Sequence, residues 1–210
     1  MKSNKLPNCP RVYIGIDQSI ACTSIAFLHR GELNIQRIKE ATRGPKLLEI
    51  IHHRTTQAFV SEHISGVAIE GYAYGARGKY FNLGEVGGVI RLAAQQTGMN
   101  LIQVPPTTLK KYATGSGKAT KQIMIKEMKD HYGLDIPDDN DCDAAHLAIL
   151  AHEFYETELH CVKAYRHDLH KTCEIIIGDH PNRMKVTEYL KDMPDEMNLS
   201  QWERERKKKK

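Results

Sequence analysis

Long hydrophobic runs are missing from this 210-residue chain, and no stretch approaches the ~18 consecutive apolar residues that read as a membrane span. Lys2 and Lys5 are not followed by the apolar segment of a secretory leader. The five cysteines (Cys9, Cys22, Cys142, Cys161, Cys173) are odd in number and contain no CxxC pair, which argues against a disulfide scaffold and for a reduced protein. Together these absences predict a soluble protein of the cytoplasm. Strong charge of one sign is also missing. A formal net charge of +4 is too small to specify a nucleic-acid partner by itself. No internal repeat is visible, and the only low-complexity segment is the terminal lysine run.

Apolar residues make up 40% of the chain, enough for a real core in one domain with an appendage, or in two small domains. Short β-branched runs predict strands over 12–16, 23–28 and 33–38, with the Arg30–Gly31 turn making an antiparallel meander. Leu47, Leu48, Ile51, Ala58 and Phe59 recur at helical spacing after Pro45, which predicts a helix over 45–63. Further strands are expected over 66–70 and 100–104, the latter stopped by Pro105 and Pro106. Helices are expected over 83–96, 118–132 and 143–156, with an acidic loop at 135–141. The order β-β-β-α-β-α-β-α-α is a mixed α/β sheet covered by helices. Beyond residue 157 only a strand at 174–177 and a short helix at 186–191 suggest themselves, and the 157–203 extension has no assignable fold. Residues 204–210 form a basic tail broken by Glu205.

The chemistry lies in acids that end apolar segments. Asp17 closes the first strand and Glu70 the fourth, while Asp138, Asp139, Asp141 and Asp143 precede an apolar helix. Adjacent strand ends bring such groups together, and carboxylates packed that closely repel unless divalent cations neutralise them. Hard oxygen donors suit Mg²⁺ or Mn²⁺, and two ions ~4 Å apart hold both the attacking and leaving oxygens of a phosphodiester. Each acid also has an ordinary structural role open to it. Asp17 can cap a turn, Glu70 can sit in a salt bridge, and one of the Asp138–Asp143 group is expected to cap the helix.

Gly15-Ile16-Asp17-Gln18-Ser19, Ile69-Glu70-Gly71-Tyr72 and Asp143-Ala144-Ala145-His146-Leu147-Ala148 resemble, in order, the three acidic motifs of RuvC-type Holliday-junction resolvases. Pro105 to Lys111, followed by Thr114-Gly115-Ser116-Gly117-Lys118, is similar to the basic segment before the third motif. The resemblance spans residues 11–156, with the phage-encoded branch nearest. It implies an RNase H-like fold with a mixed five-stranded sheet flanked by helices, a homodimer, two Mg²⁺ ions (or Mn²⁺) per site, and paired nicks across four-way DNA. The setting is then the cytoplasm of a bacterium, or of the host cell of a phage. In the mechanism so implied, in-line hydrolysis leaves 5′-phosphate and 3′-hydroxyl ends. Asp17 bridges both ions, with Glu70 and Asp143 each supporting one.

The chain departs from that pattern at Asn140. The family usually has a fourth acid, or a histidine, one helical turn before the last aspartate. Asn140 ligates more weakly, through its amide oxygen, and Asp139 and Asp141 are the alternates. His146 lies near the same face, as a proton carrier or as a packed core residue.

Two segments are expected to face DNA. Tyr72, Tyr74, Arg77, Lys79, Tyr80 and Phe81 interleave aromatics and cations in a glycine-rich loop beside Glu70, a composition that stacks bases and holds phosphates. Lys110, Lys111, Lys118 and Lys121 supply phosphate contacts. Gly84, Gly87 and Gly88 let the following helix approach another backbone, whether the sheet's or a second subunit's. The spacing of His160, Cys161, His167, His170, Cys173 and His180 matches no zinc template. Three rival functions stay open. A noncatalytic branched-DNA-binding protein is suggested by Asn140, an RNase H-like nuclease would act on flaps or RNA–DNA hybrids, and an actin-like phosphotransferase would need a second domain that the chain is too short to hold.

Overall fold

The computed structural model describes residues 5–61, 64–72, 80–156, 174–176 and 184–185. Strands β1 (Val12–Asp17), β2 (Thr23–His29) and β3 (Glu32–Ile38) form the expected antiparallel meander. Helix α1 (Pro45–Phe59) leads to β4 (Ile64–Glu70), and α2 (Tyr80–Thr97) leads to β5 (Leu101–Val104). Both β1–β4 and β4–β5 are parallel pairs. Helices α3 (Pro106–Thr114), α4 (Lys121–Tyr132) and α5 (Asp139–Glu156) follow, then β6 (Glu174–Ile176) and β7 (Met184–Lys185). The sheet order is β3-β2-β1-β4-β5-β6-β7. The five expected strands form its core, and β6 and β7 extend the β5 edge antiparallel.

Strand alternation divides the core into two layers. Ile14, Ile16, Ile25, Val67, Ile69 and Leu101 pack beneath α1 and α2. Tyr13, Ala26, Leu28, Ala68, Ile102 and Val104 pack against α3, α4 and α5. Helix α5 is apolar around almost its whole circumference, with Ala144, Ala145, Leu147, Ala148, Ile149, Leu150 and Ala151 fully buried. It lies across β1, β2 and β4. The approach to β1 is set by Gly15. A Cβ there would stand 2.0 Å from the Ala144 carbonyl oxygen and 2.3 Å from the Ala148 nitrogen, so helix backbone occupies the space a side chain would need.

Three departures from the sequence expectation matter most. Residues 106–114 form a helix where the sequence pattern shows only the strand stop at Pro105 and Pro106. Proline also starts helices, and Pro106 occupies the first turn of α3. Helix α5 begins at Asp139 rather than Asp143, because Asp138 caps it: the Asp138 carboxylate accepts from the backbone N–H of Asn140 (3.1 Å) and of Asp141 (3.2 Å). The 135–141 loop is correspondingly shorter. Helix α1 ends at Phe59, four residues short of the expected 63. The expected helix at 186–191, the histidine and cysteine cluster at 160–180 and the basic tail lie outside the described residues. None of the described helices is long and apolar enough to cross a membrane.

Because α5 backbone fills the place of a Gly15 side chain, Gly15→Ala should destabilise the fold by roughly 3 kcal/mol, the upper range for overpacking a core. Urea unfolding of the variant checks this. A midpoint within error of the parent would contradict the packing of α5 on β1.

Candidate metal centre and its basic rim

Asp17 and Glu70 meet because their strands are parallel and in register. Ile16 pairs with Ile69, so the residues that follow stand abreast at the C-terminal edge of the sheet. Gly15 and Asp17 face the same side by strand alternation, as do Ala68 and Glu70, and this is the face that α5 covers. Contact of Ala144 with Gly15 then brings the preceding residue, Asp143, to the same edge.

The three carboxyls sense one another. Burial, the negative charges of Glu70 and Asp143, and a hydrogen bond to Glu70 push the Asp17 carboxyl well above its ordinary value. Burial and the Asp143 charge raise Glu70 from its ordinary 4.5 to about 7, although accepting the Asp17 hydrogen bond and the charges of Lys110 and Lys121 oppose the rise. Asp143 is raised to about 6 by burial, again against Lys110 and Lys121. A hydrogen bond thus joins the Asp17 and Glu70 carboxyls. The structure brings two of the three into direct contact and holds the third within electrostatic reach. Among the described residues, no three acidic, histidine or cysteine side chains stand close enough together to hold one ion between them. As a donor set, desolvated carboxylate oxygens that repel one another fit hard divalent cations, which neutralise the repulsion.

The other acids of the α5 turn are engaged elsewhere. Asp138 caps the helix. Asp139 pairs with Lys121 at the start of α4. Asp141, a buried side chain, accepts from Ser24 Oγ at 2.7 Å and from Arg37 Nε at 2.7 Å, with a second contact from Arg37 Nη2. Both oxygens of Asp141 are thus taken by β2 and β3. Asp141 and Asp143 lie ~160° apart around the helix, so one faces this network while the other faces Asp17 and Glu70. Asn140, half-buried, lies three residues before Asp143 and near its face. The buried His146 ring donates from Nε2 to the Met124 carbonyl at 3.2 Å, tying α5 to α4.

Behind the acidic pair lies a polar cluster absent from the sequence reading. Gln18 donates from Nε2 to the Glu70 carbonyl at 2.6 Å. Arg91 of α2 donates to the Tyr72 hydroxyl at 2.8 Å and to Gln103 Oε1 at 2.5 Å, with its guanidinium 4.8 Å from the Tyr72 ring centre. The bare Cα of Gly87 makes room: a Cβ there would fall within 2.5 Å of the Arg91, Gln18 and Tyr72 side-chain ends. Tyr72 is thereby held against the domain. Phe81, at the start of α2, is 86% exposed. Tyr74, Arg77 and Lys79, and the side chain of Tyr80, lie outside the described residues. Of the four expected lysines, Lys110 and Lys121 bring positive charge to the carboxyls, while Lys111 and Lys118 are exposed on the same α3–α4 side.

A carboxyl whose folded value is raised stabilises fully below its unfolded value near 4, and that contribution is lost as pH rises through the folded value. With Glu70 at about 7 and Asp143 at about 6, the ion-free protein should melt several degrees lower at pH 8 than at pH 5. Adding Mg²⁺ at pH 8 should restore the loss, and Asp17→Asn should flatten the slope. Thermal melts across this range check it; a slope of opposite sign would contradict the coupling.

No protein-family model matches the chain. Among solved structures, it is similar to Thermus thermophilus RuvC and to T. thermophilus RuvC in complex with Holliday junction substrate. The TM-scores are 0.55 and 0.57, at 21% identity, over 66% of this chain and 91% of each of theirs. That likeness establishes the fold: the mixed sheet and its flanking helices are the RNase H-like architecture of RuvC.

Proposed function

We propose that the protein is a Mg²⁺-dependent endonuclease that cuts branched DNA, four-way junctions above all. The observation that carries this reading is the buried Asp17–Glu70 pair, with Asp143 beside it and Lys110 and Lys121 on its rim. The similarity to a RuvC solved with Holliday junction substrate supports the choice of DNA. Asp17, Glu70 and Asp143 are the residues that would hold the cations, with Asn140 in the fourth place because Asp139 and Asp141 are committed to Lys121 and Arg37. Mn²⁺ is expected to substitute. The bound pair would supply Lewis acidity at the scissile phosphate.

The chain's own side chains do the rest. Lys110 and Lys121 hold phosphate oxygens on the rim, sequence-independently and with release of counterions. Lys111 and Lys118 extend that track along α3 and the turn before α4. Tyr74, Arg77, Lys79, Tyr80 and Phe81 are assigned to the unpaired bases and phosphates of a branch point, and Tyr72, which precedes them in the chain, is held by Arg91. Hydrolysis leaves 5′-phosphate and 3′-hydroxyl ends.

Two cuts across a junction need two active sites, and α2 offers a surface for pairing. Leu92 is exposed on it (49%), and Gly88 and Gly84, one and two turns before it, open on empty space. A homodimer through this face suits the proposed reaction. Asn140 favours a second reading, a branched-DNA-binding protein without cleavage, because an amide oxygen is a weaker ligand than a carboxylate.

Synthetic four-way junctions, flaps, RNA–DNA hybrids and linear duplexes, incubated with and without Mg²⁺, separate these readings. The expected result is Mg²⁺-dependent nicking of the junction in preference to the others; tight junction binding with no cut in any ion would establish the second reading. Asp17→Asn should lower cleavage at least ~10³-fold, the scale of removing a principal electrostatic group from a catalytic site, while junction affinity stays within about twofold of the parent. Gly88→Arg should shift the protein from dimer to monomer in sedimentation, and an unchanged dimer would place the interface elsewhere.

A further inference from the structure

Four residues from four strands make one row beneath the first turn of α5. Arg37 of β3 pairs with Ser24 of β2, and Ser24 with Asp17 of β1. Glu70 of β4 stands beside Asp17. All four face α5 by strand alternation. Two acids of that turn settle onto the two halves of the row. Asp141 lies on Ser24 and Arg37, with Arg37 also reaching Asp138 at 3.5 Å. Asp143 lies on the half formed by Asp17 and Glu70, whose carboxyls feel its charge.

We propose that Arg37 is a positioning residue: by gripping Asp141 on the β2–β3 side, it fixes the rotation of the first turn of α5 so that Asp143 faces the Asp17–Glu70 pair. Residues two positions apart on a helix lie ~160° apart around its axis, so a hold on one side of the turn determines where the other side points. The grip is suited to this. A planar guanidinium making two contacts fixes direction as well as distance, which a single point charge does not. Asp141 is buried, so removing these donors would leave a buried carboxylate poorly satisfied. The Asp138 cap fixes where the helix starts, and Gly15 fixes how closely it approaches, but neither sets the angle of its first turn. Arg37 itself lies two strands from Asp17, roughly 10 Å. It acts through Asp141 and touches no reacting group.

The functional part of this inference rests on the proposed metal centre, and the structural part does not, so the test has two arms. Amide hydrogen exchange on ion-free Arg37→Gln should show faster exchange at Cys142 and Asp143, with Leu147 to Leu150 still protected as in the parent. Equal acceleration along the whole helix, or none, would overturn the proposal. In the second arm, Mn²⁺ affinity is measured by calorimetry without DNA, together with junction cleavage and junction affinity. Arg37→Gln should weaken Mn²⁺ binding and lower kcat by about 10- to 100-fold, the usual effect of removing a group that orients a ligand. Junction affinity should hold within about twofold, and Arg37→Lys should recover only part of the loss. Parent-like Mn²⁺ affinity in a folded Arg37→Gln would overturn the positioning role. Should that variant not fold, Ser24→Ala removes one donor to Asp141 and is expected to give the same exchange pattern at smaller size; unchanged exchange would count against the proposal. If the parent itself bound no ion and cut no junction, the metal centre would fail while the exchange arm still decided the role of Arg37.

Discussion

Repulsion among buried carboxyls governs the C-terminal edge of this sheet. Asp17, Glu70 and Asp143 are brought within reach of one another by a parallel register between β1 and β4 and by a helix that lies on the bare Cα of Gly15. Each carboxyl is desolvated, the Asp143 charge raises the charging cost of Asp17 and Glu70, and the Glu70 charge raises that of Asp17. A fold selected for stability alone has no reason to collect three such groups, since apolar residues would fill the same space without opposing charge. The hydrogen bond between Asp17 and Glu70, together with Lys110 and Lys121 on the rim, makes the arrangement tolerable. A hard cation would do so more completely, and at neutral pH.

The acidic turn of α5 shows how one sequence run is divided among tasks. Asp138 satisfies backbone donors, Asp139 holds α4 through Lys121, and Asp141 holds β2 and β3 through Ser24 and Arg37. Asp143 is left facing the pair. The same economy appears on the other side of Glu70, where Gly87 lets Arg91 reach Tyr72 and Gln103 and Gln18 supports the Glu70 carbonyl. The acidic pair is therefore braced from both layers, while Phe81 at the start of α2 is exposed.

Much of the fold was legible because strand and helix periods are local. Runs such as Val12–Asp17 and Ile64–Glu70 announce themselves by apolar residues ended by an acid, and their carboxylates fall at strand ends wherever the strands go. Helix α3 was hidden by its own prolines, which signal a stop and a start with equal force. The roles of Asp139 and Asp141 were undecidable locally, since Arg37 is 104 residues from Asp141 in the chain. Nothing in the composition of β3 marks that arginine as a buried acid's partner. Tyr72 likewise read as an exposed aromatic in a glycine-rich loop until Arg91 of α2 supplied its partner. Short strands β6 and β7 sit where the sequence pattern is weakest, and only the first was anticipated.

The most direct test of the central claim is a crystal of the protein soaked in Mn²⁺, with anomalous scattering used to locate the ions. Peaks in contact with the carboxylates of Asp17 and Glu70, with Asp143 and Asn140 drawn to the same ions, are the predicted result. An Asp17–Glu70 pair that stays hydrogen-bonded and free of manganese at saturating concentration and neutral pH would contradict the account.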